Sequence, residues 1–327
     1  MSNSIIAFFK ERVFSKESRL YLMGIAILWI FFFHFYCWFN GTKPWWLFFF
    51  SEGQTGVDIF LFLSAYGLEA SMHKNNWKKF YLNRMKRIFP VYFLFLFTFY
   101  IFQNHVPFRK ILFQCIGQLT GFSLFQTPLF FSCQFEFDWF TPALILLYIA
   151  YPFISCSLNY LTKGRMWCEL FILILLCIIG VMGFSIVHLP IIFLLYRLPI
   201  FMLGTVTYIH LKNVEVNRLF ILYVFFFICG FLSNNDCFLE SASIPIFLTV
   251  YAFIQGARPF RRYISMLGRY SYEIYLAHIF PVTYFFNLVL IDNLFVYIIV
   301  AIVWTIIITT LYVYLGRIIK RSIFGNK

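Results

Sequence analysis

Five ionisable side chains stand within stretches that are otherwise apolar: His34, Asp58, Arg197, Glu273 and His278. A charge at the centre of a membrane helix costs about 2.5–3.5 kcal/mol, so such groups face a protein interior or a wet cavity and mark function. Imidazole is the side chain best suited to remove a proton near neutral pH. His34 fits that role, and it fits equally a hydrogen bond that packs one helix on another. Asp58 opens the run Gly56-Val57-Asp58-Ile59-Phe60. Positions 58, 62, 65 and 69 follow one helical face, so Asp58 and Glu69 share a stripe that reads as a polar lining. A helix cap is the other reading of Asp58. Arg197, in Tyr196-Arg197-Leu198-Pro199, could stabilise an oxyanion, hold an anionic donor or neutralise Asp58. Ser271, Tyr275 and His278 fall at i, i+4 and i+7 and share a face close to the cytoplasmic end of their helix. Glu273 lies in its first turn, where a carboxylate suits the dipole. A cap with polar packing is the alternative to catalysis for this group. The eight cysteines stand singly with no C-x-x-C pair, so no metal site is expected; a Cys115–Cys133 disulfide is open if both face the outside, and unpaired thiols are the plainer expectation.

These residues need helices in lipid to position them. The chain has 327 residues, 62% hydrophobic and only 12% charged, with 48 Phe. A soluble domain carries about 25% charged residues, so composition excludes a soluble globular class and predicts an all-α, polytopic transmembrane bundle. A bilayer core about 30 Å thick takes roughly 20 apolar residues in a helix. About ten spans result, near 20–39, 55–72, 88–103, 140–158, 168–187, 191–210, 219–233, 243–257, 272–290 and 295–316, with His188-Leu189-Pro190 as a turn between two of them. His34 then lies about 21 Å along the first helix, in its outer half. The segment 108–132 carries Gln114, Gly117, Gln118, Gly121 and Pro128, and is expected to be interfacial or re-entrant.

Charge sets the direction. With both termini cytoplasmic, only Lys43, Arg109 and Lys110 of the 26 Lys and Arg fall outside, and Arg197 falls inside a span. The expected organisation is a cytoplasmic segment 1–19, a transmembrane domain 20–316 and a basic cytoplasmic tail 317–327. Residues 1–19 are too polar for a cleavable signal peptide. Anionic lipid facing the basic inner loops accounts for the net charge of +13 without nucleic acid. In the loop Lys78 to Pro90, Arg84 and Arg87 lie one turn apart and present two guanidiniums together, a geometry suited to phosphate or pyrophosphate. Ordinary positive-inside anchoring is the plainer account of that loop.

The order of these motifs resembles the acyltransferase-3 family of integral-membrane acyltransferases. An apolar helix runs from Met23 to His34, and a G-V-D-I-F-F-F-L-S-G-like segment spans Gly56 to Tyr66. An R-x-x-R-I-x-P-x-Y-like segment runs from Arg84 to Tyr92. A W-F segment leads into L-x-x-Y-x-x-x-P from Trp139 to Pro152. Arg197 to Gly204 matches R-x-P-x-F-x-x-G, and Ser271 to His278 matches S-Y-x-I-Y-L-x-H. Two departures stand out: Met23 where many members have arginine, with Arg19 one turn earlier, and Ser64-Ala65 for the family's S-G.

The resemblance implies a ten-span enzyme of the bacterial inner membrane. Such an enzyme moves an acyl group, typically acetyl, from acyl-coenzyme A to a hydroxyl of a cell-envelope or exported glycan. The partners implied are acyl-CoA, a carbohydrate acceptor and membrane lipid, with no tightly bound cofactor. The family histidine falls on His34 and the family's loop arginines on Arg84 and Arg87. Asp58 and Arg197 are then further catalytic candidates. Arg19, Ser64, Glu69, Tyr92, Trp139, Ser271, Tyr275 and His278 are candidates for the cavity lining. A glycan exporter without acyl transfer is the competing class. Internal repeats of the kind many transporters carry are absent from the sequence.

Overall fold

The computed structural model describes residues 14–39, 42–51, 53–102, 108–125, 138–163, 165–186, 191–213, 258–281 and 293–325. The spans near 219–233 and 243–257, the turn at 188–190, Cys133 and most of 282–292 lie outside the described residues. Ten α-helices occur among those described: α1 (Lys16–Trp38), α2 (Thr55–Met72), α3 (Trp77–Phe102), α4 (Phe108–Thr120), α5 (Phe140–Thr162), α6 (Met166–Ile186), α7 (Ile191–Asn213), α8 (Arg258–Arg269), α9 (Ser271–Phe280) and α10 (Leu294–Phe324). Short 3-10 turns follow α1 and α4, and no strand occurs among the described residues. This is the expected outcome in lipid, where only a helix satisfies every backbone N–H and C=O within its own segment. Lys16–Trp38, Phe140–Thr162, Phe193–Leu211 and Leu294–Phe324 are long and apolar enough to cross a bilayer. The chain is an all-α integral membrane protein.

Several helices start or stop where hydropathy alone does not place them. α3 begins at Trp77, well before the apolar run, because the basic stretch Lys78–Arg87 continues the same helix through Pro90. α4 has 13 residues, a rise of about 20 Å, short of a bilayer core. Gly121 follows it with φ +83, and a Cβ there would drive into Leu146 of α5. Only glycine takes that backbone at no cost, so the chain turns back at this point. α10 is capped by Asn293, whose side chain accepts from the amides of Phe295 and Val296.

The described helices fall into two compact units, each with its own packing. The first comprises Met1–Ser15, Asp58–Tyr81 and Pro107–Ala257. In it α5, α6 and α7 pack on one another, with α4 on α5. Gly204 of α7 lies so close to Phe62 of α2 that a Cβ would collide with the Phe62 carbonyl and meet Ala65 at 3.1 Å. The alanine that replaces the family's glycine therefore stands at a helix–helix contact. The second unit comprises Lys16–Val57, Leu82–Val106 and Arg258–Lys327. In it α8 lies along α1, and α9 packs on both α1 and α10. Gly24 and Gly268 make the α1–α8 approach possible, since a Cβ at either would strike backbone of the other helix. Phe31, Phe35, Phe39, Leu294, Tyr297 and Ala301 form the aromatic core that joins α1 to α10.

Candidate active site

In the second unit two histidines from distant parts of the sequence meet. His34 lies on α1 and His278 on α9, and His278 Nε2 stands 3.0 Å from His34 Nδ1. His34 Nδ1 also lies 3.0 Å from the Ile30 carbonyl one turn below it. His278 Nδ1 lies 3.2 Å from the Ile274 carbonyl. Phe31 and Tyr275 flank the pair, with ring centroids 6.1 Å and 5.6 Å from His278. His278 is fully buried, as are Ser271 and Tyr275 on the same face of α9.

The meeting depends on α8. Its glycine contact with α1 brings the chain to the level of Leu20–Gly24 before α9 begins. Seven residues of α9 then rise about 10 Å, which lifts His278 toward His34. Sequence reasoning placed His278 near a helix end and did not pair it with His34. The strongly amphipathic Arg258–Arg269 segment was the signal that a helix precedes α9.

A pocket of about 590 Å³ runs along the same helices. Ile27 and Phe31 of α1 and Thr305 and Thr309 of α10 line it, and Tyr270 and Arg317 close its basic end. Its walls are apolar, yet the hydroxyl oxygens of Thr305 and Thr309 are buried there without a hydrogen-bond partner among the described residues. Arg317 donates to the Tyr270 hydroxyl at 3.2 Å. The Glu273 carboxylate interacts with both Arg87 and Arg317, so an arginine of the predicted donor pair and one from the tail share a neighbour. Arg84, three residues before Arg87 on α3, is half-buried. Tyr92, further along α3, is fully buried and stacked on Phe95. Arg19 is half-buried on the first turn of α1.

The first unit gathers the charged candidates. Arg197 Nε lies 3.1 Å from Asp58 Oδ1, both side chains being almost wholly buried. The same guanidinium stacks over Trp139 at 5.3 Å. Glu69, one turn after Ala65 on α2, accepts from Tyr151 at 2.8 Å and Ser155 at 2.7 Å. The Thr205 hydroxyl lies 3.0 Å from that of Tyr151, and His73 lies 3.3 Å from Glu69 Oε1. Ser64, on α2 between them, is half-buried. A further buried pair, His210 with Glu169 at 2.7 Å, escaped the sequence reading. Glu169 near the start of α6 and His210 near the end of α7 were its only marks.

The comparisons with known proteins agree with this architecture. A family model described as an acyltransferase domain, of the acyltransferase-3 type, matches residues 21–314, and so covers all or most of every helix described above. No curated protein and no solved structure matches the chain. With a match over nearly its whole length, this integral membrane protein belongs to the acyltransferase-3 family of acyltransferases.

Proposed function

We propose that the chain transfers an acyl group, acetyl by the habit of its family, from acyl-coenzyme A to a hydroxyl of a cell-envelope or exported glycan at the bacterial inner membrane. The observation that carries this reading is the imidazole pair, His278 buried and His34 half-buried, in a chain matched by the acyltransferase model. In this mechanism the donor's phosphates dock on Arg84 and Arg87 from the cytoplasm, with Arg317 beside Arg87 around Glu273. The pantetheine arm is a mostly apolar chain with two amides. It matches a pocket whose apolar walls hold two threonine hydroxyls above an arginine.

His34 then removes the proton of the acceptor hydroxyl. The oxygen attacks the thioester carbonyl, the carbon–sulfur bond breaks, and the departing thiolate takes the proton from the imidazolium. General-base catalysis supplies about 10²–10⁴-fold, and positioning two substrates in one cavity supplies much of the rest. Asp58 and Arg197, ion-paired at 3.1 Å in the first unit, are the further catalytic candidates of this reading. The other residues near these groups shape the cavity.

The test uses membranes containing the protein, labelled acetyl-coenzyme A and extracted envelope glycan. Label should pass to glycan with the native chain and fall by at least about 10²-fold with His34→Ala, while the variant inserts in equal amount. Label transfer at the native rate in that variant would remove His34 as the base. Glycan crossing the membrane unmodified would favour an exporter. Replacing Arg84 and Arg87 together should raise the KM for acetyl-coenzyme A with little change in kcat. An unchanged KM would move the donor site elsewhere.

A further inference from the structure

The contacts of the two histidines are compatible with only one arrangement of their protons. A neutral imidazole carries one N–H and one lone pair, and the hydrogen bonds of each nitrogen decide which is which. His278 Nδ1 faces the Ile274 carbonyl, which can only accept, so that nitrogen carries the proton. His278 Nε2 therefore presents a lone pair to His34. His34 Nδ1 faces that lone pair and the Ile30 carbonyl, two acceptors, so it carries a proton shared between them. The opposite arrangement would have His278 donate from Nε2. It would set the lone pair of His34 Nδ1 against the Ile30 carbonyl and that of His278 Nδ1 against the Ile274 carbonyl. Two repulsive contacts in a part-buried setting would then replace two hydrogen bonds.

We propose that His278 is a positioning residue that holds His34 as its Nδ1–H tautomer, leaving His34 Nε2 as the nitrogen that takes the acceptor's proton. This rests on the reading of His34 as the general base. It adds which nitrogen acts and what fixes it. The device suits a membrane interior. A carboxylate could hold the imidazole in the same way, but burying a fixed charge is costly, whereas a second imidazole is neutral at rest. When His34 becomes an imidazolium, its Nδ1–H bond to His278 becomes charge-assisted and strengthens, so the partner favours the protonated intermediate as well. Phe31 and Tyr275 hold the partner ring from either side, and Ile274 anchors it from below.

Two variants and a spectroscopic measurement test this on the full chain in lipid nanodiscs. His278→Phe keeps the ring volume and removes the acceptor. His278→Gln keeps an acceptor oxygen near the place of Nε2. With His278→Phe, kcat should fall about 10–100-fold, part of the span a general base supplies, with the KM for acetyl-coenzyme A unchanged. His278→Gln should restore most of it. Nitrogen-15 labelling of histidine should show His34 protonated at Nδ1 in the native chain and in His278→Gln, and shifted toward Nε2–H in His278→Phe. Native His34 protonated at Nε2 would overturn the proposal, as would full kcat in His278→Phe. The spectrum is read without turnover, so it separates the two readings. A His278-dependent Nδ1–H tautomer with an active His34→Ala variant would sink the base and leave the tautomer standing. An inactive His34→Ala with a tautomer indifferent to His278 would do the reverse.

Discussion

The two units treat buried polar groups in opposite ways. In the first, the described buried carboxylates are met by partners: Asp58 by Arg197, Glu69 by Tyr151 and Ser155, Glu169 by His210 and Asp138 by the Thr141 amide. In the second, the two histidines lean on each other and on backbone carbonyls one turn away. A fixed charge in lipid must be neutralised permanently, so its partner is part of the architecture. A neutral imidazole can be buried without a counter-ion and charged only for an instant. The difference teaches where a proton can move: the site with no standing charge is free to acquire one.

The largest effect expected on stability lies in the first unit. Arg197→Met takes the guanidinium away from the buried Asp58 carboxylate, a loss of up to about 3–5 kcal/mol. Replacing both, as Asp58→Leu with Arg197→Met, should recover most of it, because an apolar pair of similar size avoids the desolvation of two ions. Denaturant midpoints in detergent micelles would measure both. His278→Phe, by contrast, removes two neutral hydrogen bonds, to His34 and to the Ile274 carbonyl, each worth about 0.5–1.5 kcal/mol, and should act chiefly on turnover. If the double variant is stable yet inactive, Arg197 serves the reaction as well as the fold. If it is stable and active, the first unit's network is architecture alone. An equal stability loss in Arg197→Met and His278→Phe would break the contrast between the units.

The next effect concerns the contact that brings the histidines together. A Cβ on Gly268 would strike the Leu20 carbonyl of α1, and backbone cannot step aside as a side chain can. Gly268→Val should therefore cost about 1–3 kcal/mol by overpacking. It should also shift α8, raise or tilt α9 and separate His278 from His34. The expected signature is a folded protein with lowered kcat and the tautomer change seen in His278→Phe. A native spectrum in Gly268→Val would mean that α9 is placed by its contacts with α10 rather than by α8.

Much of this was legible in the sequence where hydropathy is the whole signal. The span expected at 55–72 is the helix Thr55–Met72, and those at 140–158 and 295–316 lie within Phe140–Thr162 and Leu294–Phe324. The pairing of Arg197 with Asp58 was readable because few charges stand in apolar sequence, and opposite ones must find each other. What was not legible has one cause: hydropathy reports contact with lipid and not continuity of the helix. α3 extends through a basic stretch that lipid-based reasoning assigns to a loop. α8 is too polar to be noticed, yet its glycines set the height of α9. The His34–His278 contact spans 244 positions, and nothing in either local sequence names the other.

The smallest effect separates two kinds of contact within one helix pair. α8 and α1 also meet through Arg261 and Glu17, 3.3 Å apart, with Glu17 68% exposed. Water screens such a pair and side-chain entropy opposes it, so Arg261→Ala should cost less than about 1 kcal/mol. It should leave kcat within about twofold, because the helix spacing is set by backbone approach at Gly24 and Gly268 and not by charge. Raising the salt concentration should do as little as the substitution, since a pair this exposed is already screened. A large loss of activity in Arg261→Ala, with Gly268→Val nearly silent, would invert the order argued above. The exposed charge, and not the buried glycine contact, would then be what holds α8 and carries His278 to its partner.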